Sequence, residues 1–181
     1  RRNLTGFSNQ TRGIAAGGSI QSPAARRNII DFITIASAGN ATDFGDLINP
    51  LSADPSGFSS PTRGVIAGGE ADSPLTAGTD VIQFVTIAST GNATDFGDVT
   101  VARRGAASAS SNTRGVIAGG IDQPSAKNTI DFITIASAGN AIDFGDSTGS
   151  YPYRPTGNIC NLTRGVLVAG GVAPNFVGNI V

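Results

Sequence analysis

Two kinds of apolar run alternate along the whole chain in a fixed order. The first is short, built from small residues and closed by paired glycines. It runs from Thr11-Arg12-Gly13 to Gly17-Gly18 and returns at Thr62 to Gly69, Thr113 to Gly120 and Thr163 to Gly171. The second is β-branched and aromatic, at Asn28 to Ala36, Asp80 to Ala88 and Thr129 to Ala136. A continuous apolar run bounded by glycines suits a strand covered on both faces. Successive side chains of a strand alternate, so Ile130, Phe132 and Thr134 face one way and Ile133 and Ile135 the other. Apolar groups on both sides predict sheets packed between sheets.

The third repeat shows the full set. Small residues over Gly105–Ser111 predict a first strand, Arg114–Gly120 a second, Thr129–Ala136 a third and Ile142–Gly145 a fourth. The fourth has copies at Thr42–Gly45 and Thr94–Gly97. Ala38-Gly39-Asn40, Thr90-Gly91-Asn92 and Ala138-Gly139-Asn140 join third to fourth strand and predict tight hairpins, since Gly and Asn both tolerate positive φ. The threonines that open the Thr-Arg-Gly motif step by 51, 51 and 50 residues. A period near 50 is that of kelch-type propeller blades. A unit of that size cannot bury its own apolar face, so its neighbours must.

These features predict an all-β fold: a kelch-like β-propeller, whole or partial, built from ~50-residue four-stranded blades. The single repeat domain 1–181 divides into blade 1 at 1–48, blade 2 at 51–99, blade 3 at 101–147 and a partial blade 4 at 153–181. Propellers close with roughly four to eight blades, so three and a half leave unpaired edges. Either the chain continues in a longer parent, or two chains share one ring. The start on Arg1-Arg2 without Met, and the stop at Asn179–Val181 inside a third-strand motif, favour the first expectation.

Composition narrows the chemistry. Hydrophobic residues make up 39% and charged residues 14%, too apolar for a disordered chain. The 12 basic residues include a single lysine, Lys127, and are dispersed, so no basic patch points to nucleic acid. No run approaches the roughly 20 apolar residues that cross a bilayer as a helix, so membrane insertion is not expected. Without His and with only Cys160, neither the usual zinc sites nor a His-based nucleophile pair can be assembled. Cys160 itself reads as a small buried strand residue. Carboxylates such as Asp43 and Asp46 could offer oxygen to calcium, but two on a short strand read better as hydrated or paired. They also recur in every repeat, whereas an active site is normally built once. The expectation is therefore a non-enzymatic chain with no cofactor, no metal and no catalytic residue.

Where charge is scarce, repeated charge needs a reason. Arg12, Arg63, Arg114 and Arg164 are read as structural, each gripping a strand-four carboxylate such as Asp43, Asp95 or Asp143, or a turn carbonyl. The asparagines that open glycosylation sequons, at Asn3, Asn9, Asn40, Asn92 and Asn161, are read as turn residues, since Asn140 persists where Ile142 abolishes the sequon. Strand alternation sends the two-to-three and four-to-one connections to one end of the blades. These vary, as at Ser19–Arg27 against Ile121–Lys127, or Leu47–Ser56 against Ser147–Pro155. Variable loops gathered on one face suit recognition, and drift in unconstrained loops accounts for them nearly as well. Arg26, Arg27, Tyr151 and Tyr153 are the partner-contact candidates there.

The Gly-Gly after strand two, the four-strand period and the strand-four aromatics Phe44, Phe96 and Phe144 resemble kelch repeats, with Phe where kelch blades carry Trp. The fuller string, Thr-Arg-Gly-Val-Ile-Ala-Gly-Gly as at Thr113 to Gly120 followed by the run seen at Asp31 to Asp46, is similar to kelch-like repeats of virion proteins from marine tailed bacteriophages. This resemblance implies a virion structural protein, a tail-fibre or surface-appendage component located in the extracellular particle. Its implied partners are other virion proteins or copies of itself, and a host cell-surface glycan. The rival reading from another class is a free extracellular glycan-binding lectin of propeller type.

Overall fold

The computed structural model describes residues 1–21, 24–51, 54–70, 77–149, 157–161 and 163–168. The described residues are all-β, without a helix, and their sheets are antiparallel. The first unit consists of β1 (Thr5–Ser8), β2 (Arg12–Ala16), β3 (Ser19–Gln21), β4 (Ala24–Thr34) and β5 (Thr42–Leu51). The second holds β6 (Ser56–Ser59), β7 (Arg63–Ala67), β8 (Thr79–Thr86) and β9 (Thr94–Arg103). The third holds β10 (Ala107–Ser110), β11 (Arg114–Ala118), a small hairpin of β12 (Ile121–Asp122) and β13 (Ser125–Ala126), then β14 (Thr129–Thr134) and β15 (Ile142–Asp146). A fourth pair, β16 (Gly157–Cys160) and β17 (Gly165–Val168), repeats the opening strands.

The second and third units are four-stranded meanders, with order β6-β7-β8-β9 and β10-β11-β14-β15; the first has the same path, β1-β2-β4-β5, and a fifth strand, β3, paired to the start of β4. Register is the same in all three: Ile14 faces Phe32, Val65 faces Phe84 and Val116 faces Phe132. Strand four carries a bulge at the Phe-Gly step, where Ile30 pairs with Gly45 and Asp31 with Asp43. The glycine there has φ of 145°, 142° and 132° at Gly45, Gly97 and Gly145, a backbone that residues with a Cβ rarely adopt. That explains the repeated Asp-Phe-Gly-Asp.

The core lies between units, not within them. One buried cluster joins Phe7, Ile14, Ile30, Phe44 and Leu47 of the first sheet to Ile66, Val85 and Ile87 of the second. The next joins Phe58, Val65, Ile82 and Phe96 of the second to Ile117, Ile133 and Ile135 of the third. Each sheet thus has a forward face towards the next unit and a rear face towards the preceding one. Contact is close near the first strands, where a Cβ on Gly64 would fall inside the Phe7 ring and one on Gly115 inside the Phe58 ring. Ser59 Oγ donates to the Ser8 carbonyl (2.7 Å) and Ser110 Oγ to the Ser59 carbonyl (2.9 Å), extending the stack. The rear face of the first unit and the outer forward face of the third are exposed, so the described units form an open stack.

Two expectations on connections are corrected. Leu47–Leu51, read as loop, continues β5 to ten residues, because Leu47 and Leu51 are buried against the neighbouring sheet. The third-to-fourth connections are not tight Gly-Asn turns, since strand three ends at Thr34, Thr86 and Thr134 and strand four starts at Thr42, Thr94 and Ile142. Asn40, Asn92 and Asn140 are not among the positive-φ residues. The longer loop reaches instead to the preceding unit.

Candidate functional site

The junction between consecutive units is where the recurring polar residues converge. The three-to-four loop of each following unit lies along strand four of the unit before it. Gly91 N–H donates to the Phe44 carbonyl (2.7 Å) and Ala93 N–H to the Asp46 carbonyl (2.8 Å). The same pair recurs one unit on, from Gly139 to Phe96 (2.6 Å) and from Ala141 to Asp98 (2.7 Å). The asparagine completes it, Asn92 Oδ1 accepting from Asp46 N–H (3.0 Å) and Asn140 Oδ1 from Asp98 N–H (3.1 Å). These asparagines therefore serve the junction and not a turn of their own. A few residues along, Ile48 N–H donates to Gln83 Oε1 (2.9 Å) and Thr100 N–H to Asp131 Oδ2 (3.0 Å). The strand-four edge is thus covered by a neighbour's loop and side chains, which protects backbone groups that would otherwise recruit other strands.

The repeated arginines work in the same junctions. The guanidinium carbon of Arg12 sits 4.6 Å from the Phe32 ring centre, Arg63 4.5 Å from Phe84 and Arg114 4.4 Å from Phe132. Each of those rings meets the strand-four phenylalanine edge-on, at 5.8 Å for Phe32–Phe44 and Phe84–Phe96 and 6.1 Å for Phe132–Phe144. Such a stack of cation over ring and ring on ring is favourable in partly desolvated surroundings. Arg12 then donates to the Ile87 carbonyl of the next unit (2.8 Å), and Arg63 to the Ile135 carbonyl (3.0 Å). The carbonyl contacts expected of these arginines are made by Arg12 and Arg63. Arg114 lies over its ring but is exposed and reaches neither a carbonyl nor a carboxylate among the described residues, and the carboxylate partners are not used by any of the three. Among the described residues no ion pair joins these arginines to Asp43, Asp95 or Asp143, because the guanidinium lies over an aromatic ring and points across the junction. Asp143 Oδ1 accepts instead from Gly145 N–H (3.0 Å). Arg164 is exposed, its backbone N–H bonded to Asn161 Oδ1 (2.8 Å). That turn repeats one built on Asn9 in the first unit and on the hydroxyls of Ser60 and Ser111 in the next two.

The ion pairs lie elsewhere. Arg103 pairs with Asp131, both fully buried, and donates to the Thr129 carbonyl (3.0 Å), while Thr100 Oγ1 donates to Asp131 Oδ1 (2.7 Å). Burial pulls the Arg103 guanidinium below its ordinary value, and the Asp131 charge opposes that shift. Arg1 and Asp31 form the equivalent pair in the first unit, with the Asp31 side chain 33% exposed. At the variable end, Glu70 takes Arg26 on one oxygen (2.8 Å) and Arg104 on the other (2.5 Å), linking three units. Arg26 is accordingly committed to an internal contact and not to a partner face, and Arg27 is half-buried with its N–H donated to the Gly18 carbonyl. Tyr151 and Tyr153 lie outside the described residues. Cys160, expected to be buried, is exposed on β16, beyond which no described sheet lies.

Sequence reasoning missed Glu70, Asp131 and the inter-unit role of the asparagines. Two signals existed: Glu70 is the sole glutamate, and Arg1/Asp31 and Arg103/Asp131 recur at matching repeat positions. Among the described residues no three His, Cys, Asp or Glu side chains gather as a metal site would require. In comparison with known proteins, the chain matches no family model and no curated protein.

Proposed function

We propose that the chain is a non-enzymatic structural protein of a virion, a tail or fibre component of a tailed bacteriophage, whose units are blades of a kelch-like propeller. The observation that carries this reading is the use made of the recurring polar groups. Arg12 and Arg63, Asn92 and Asn140, and Gln83 and Asp131 all hold one unit to the next. Such spending of scarce charge suits a rigid repeating scaffold better than a reaction centre, which needs polar groups converging on a cavity. The similarity of the repeat string to virion repeats supplies the setting. Partners are other virion proteins or copies of the chain, and the variable end, with the β3 and β12–β13 excursions, is the face offered to a host surface glycan.

Purified particles test this reading. Peptides of this chain should co-purify with virions at fixed stoichiometry and antibodies should label the tail or its fibres. A chain found free of particles that binds a glycan array as an isolated domain would replace the reading with the lectin one.

A further inference from the structure

The third unit presents its forward face unfinished. Phe144 is 57% exposed and Ile142 60%, whereas Phe44 and Phe96, on the same face one and two units earlier, are 2% exposed. A Cβ on Gly145 would meet nothing within 4 Å, although one on Gly45 or Gly97 would collide with the next unit's loop. Arg114 keeps its place over Phe132 but is exposed, without the next-unit carbonyl that Arg12 and Arg63 reach. What covers such a face is shown twice within the chain: a third strand, a Gly-Asn-Ala loop and a fourth strand.

We propose that the outer forward face of the third unit is a docking surface for a β-hairpin of this same repeat class, supplied by a further repeat unit. The occupant's chemistry follows from the filled junctions. It carries two β-branched residues in the places of Val85 and Ile87, whose side chains pack on the strand-four phenylalanine. The carbonyl one residue past its third strand accepts from Arg114, as the Ile87 carbonyl does from Arg12. Two loop N–H groups donate to the Phe144 and Asp146 carbonyls, and an asparagine Oδ1 accepts from Asp146 N–H, as Gly91, Ala93 and Asn92 do against Phe44 and Asp46. The inner part of the third unit is already packed by β16 and β17 against β10. A second copy docking with its complete first unit would bring β1 and β2 into the space of β16 and β17, so the face fits a hairpin and not a whole unit. The mechanism is strand addition with side-chain pockets for specificity.

A synthetic peptide of residues 79–98, which holds β8, the Gly91-Asn92 loop and the start of β9, is the probe, mixed with the full chain. The expected result is one-to-one binding by calorimetry with slowed amide hydrogen exchange over Ile142–Asp146. Phe144→Asp in the chain should weaken binding about tenfold or more, and Asn92→Ala in the peptide about fivefold. Phe144 is exposed in the free chain, so Phe144→Asp should leave exchange in β5 and β9 unchanged, which separates lost docking from misfolding. Absence of binding, binding that does not protect Ile142–Asp146, or equal binding to Phe144→Asp would overturn the proposal. Concentration-dependent dimerisation that protects those amides and shuts the peptide out would overturn it in favour of a second copy.

Discussion

Strand four of the second unit and strand four of the third share the sequence Asp-Phe-Gly-Asp, and their surroundings could hardly differ more. Phe96 is 2% exposed beneath Ile133, Ile135 and the loop around Asn140; Phe144 is 57% exposed. The same contrast runs the other way at the start of the stack. Ile33 and Ile35 are 47% and 51% exposed, while Val85 and Ile87, and Ile133 and Ile135, are buried. Sequence motif and burial are therefore separable here. Each unit supplies half of a core and takes the other half from its neighbour, so stability resides in junctions, as nearest-neighbour coupling in repeat arrays requires.

The contrast can be broken most forcefully at the phenylalanines. Phe96→Ala should cost about 4 kcal/mol, the usual loss for a core aromatic, and Phe144→Ala less than about 1 kcal/mol, as read from urea unfolding followed by circular dichroism. Equal losses would show that Phe144 is covered in solution. The buried ion pair comes next. Asp131→Ala leaves Arg103 charged and enclosed and should cost about 3 kcal/mol, whereas Asp31→Ala, on a pair open to solvent, should cost under about 1 kcal/mol.

Glycine substitutions sharpen the same comparison at the first strands. Gly64→Ala drives a methyl into the Phe7 ring and should destabilise by about 2–3 kcal/mol. Gly13→Ala meets only the Ile33 side chain, Cγ1 at 3.3 Å and Cδ1 at 3.6 Å, on an exposed residue that can shift, and should stay within about 0.5 kcal/mol. The smallest effect belongs to the loop. Asn92→Ala strips the acceptor from Asp46 N–H and should cost about 1 kcal/mol, with faster exchange of that amide. Asn40→Ala, in a loop whose asparagine bonds to no described strand-four amide, should change neither stability nor exchange in this chain.

The strands were legible in the sequence because a 51-residue period repeats every choice, and β-branched runs between glycines admit few other readings. So was the equivalence of Arg12, Arg63 and Arg114. Their partners were not legible, since a guanidinium suits a carboxylate, a carbonyl or an aromatic face, and only the placement of Phe32 and Ile87 selects among them. The asparagines misled for a similar reason. Gly-Asn is a strong local turn signal, and its use across a junction depends on a strand more than forty residues away in sequence.

What the sequence determined by itself is the unit: four strands, their order, the bulge glycine and the two apolar faces, all set by local periodicity and backbone preference. Tertiary structure alone decided which copies of the unit are covered. Stacking buries Phe44 and Phe96 and leaves Phe144 open, encloses Asp131 and leaves Asp31 at the surface. The physical reason is that burial belongs to a pair of faces, and a repeated sequence describes each face identically whether or not another lies against it.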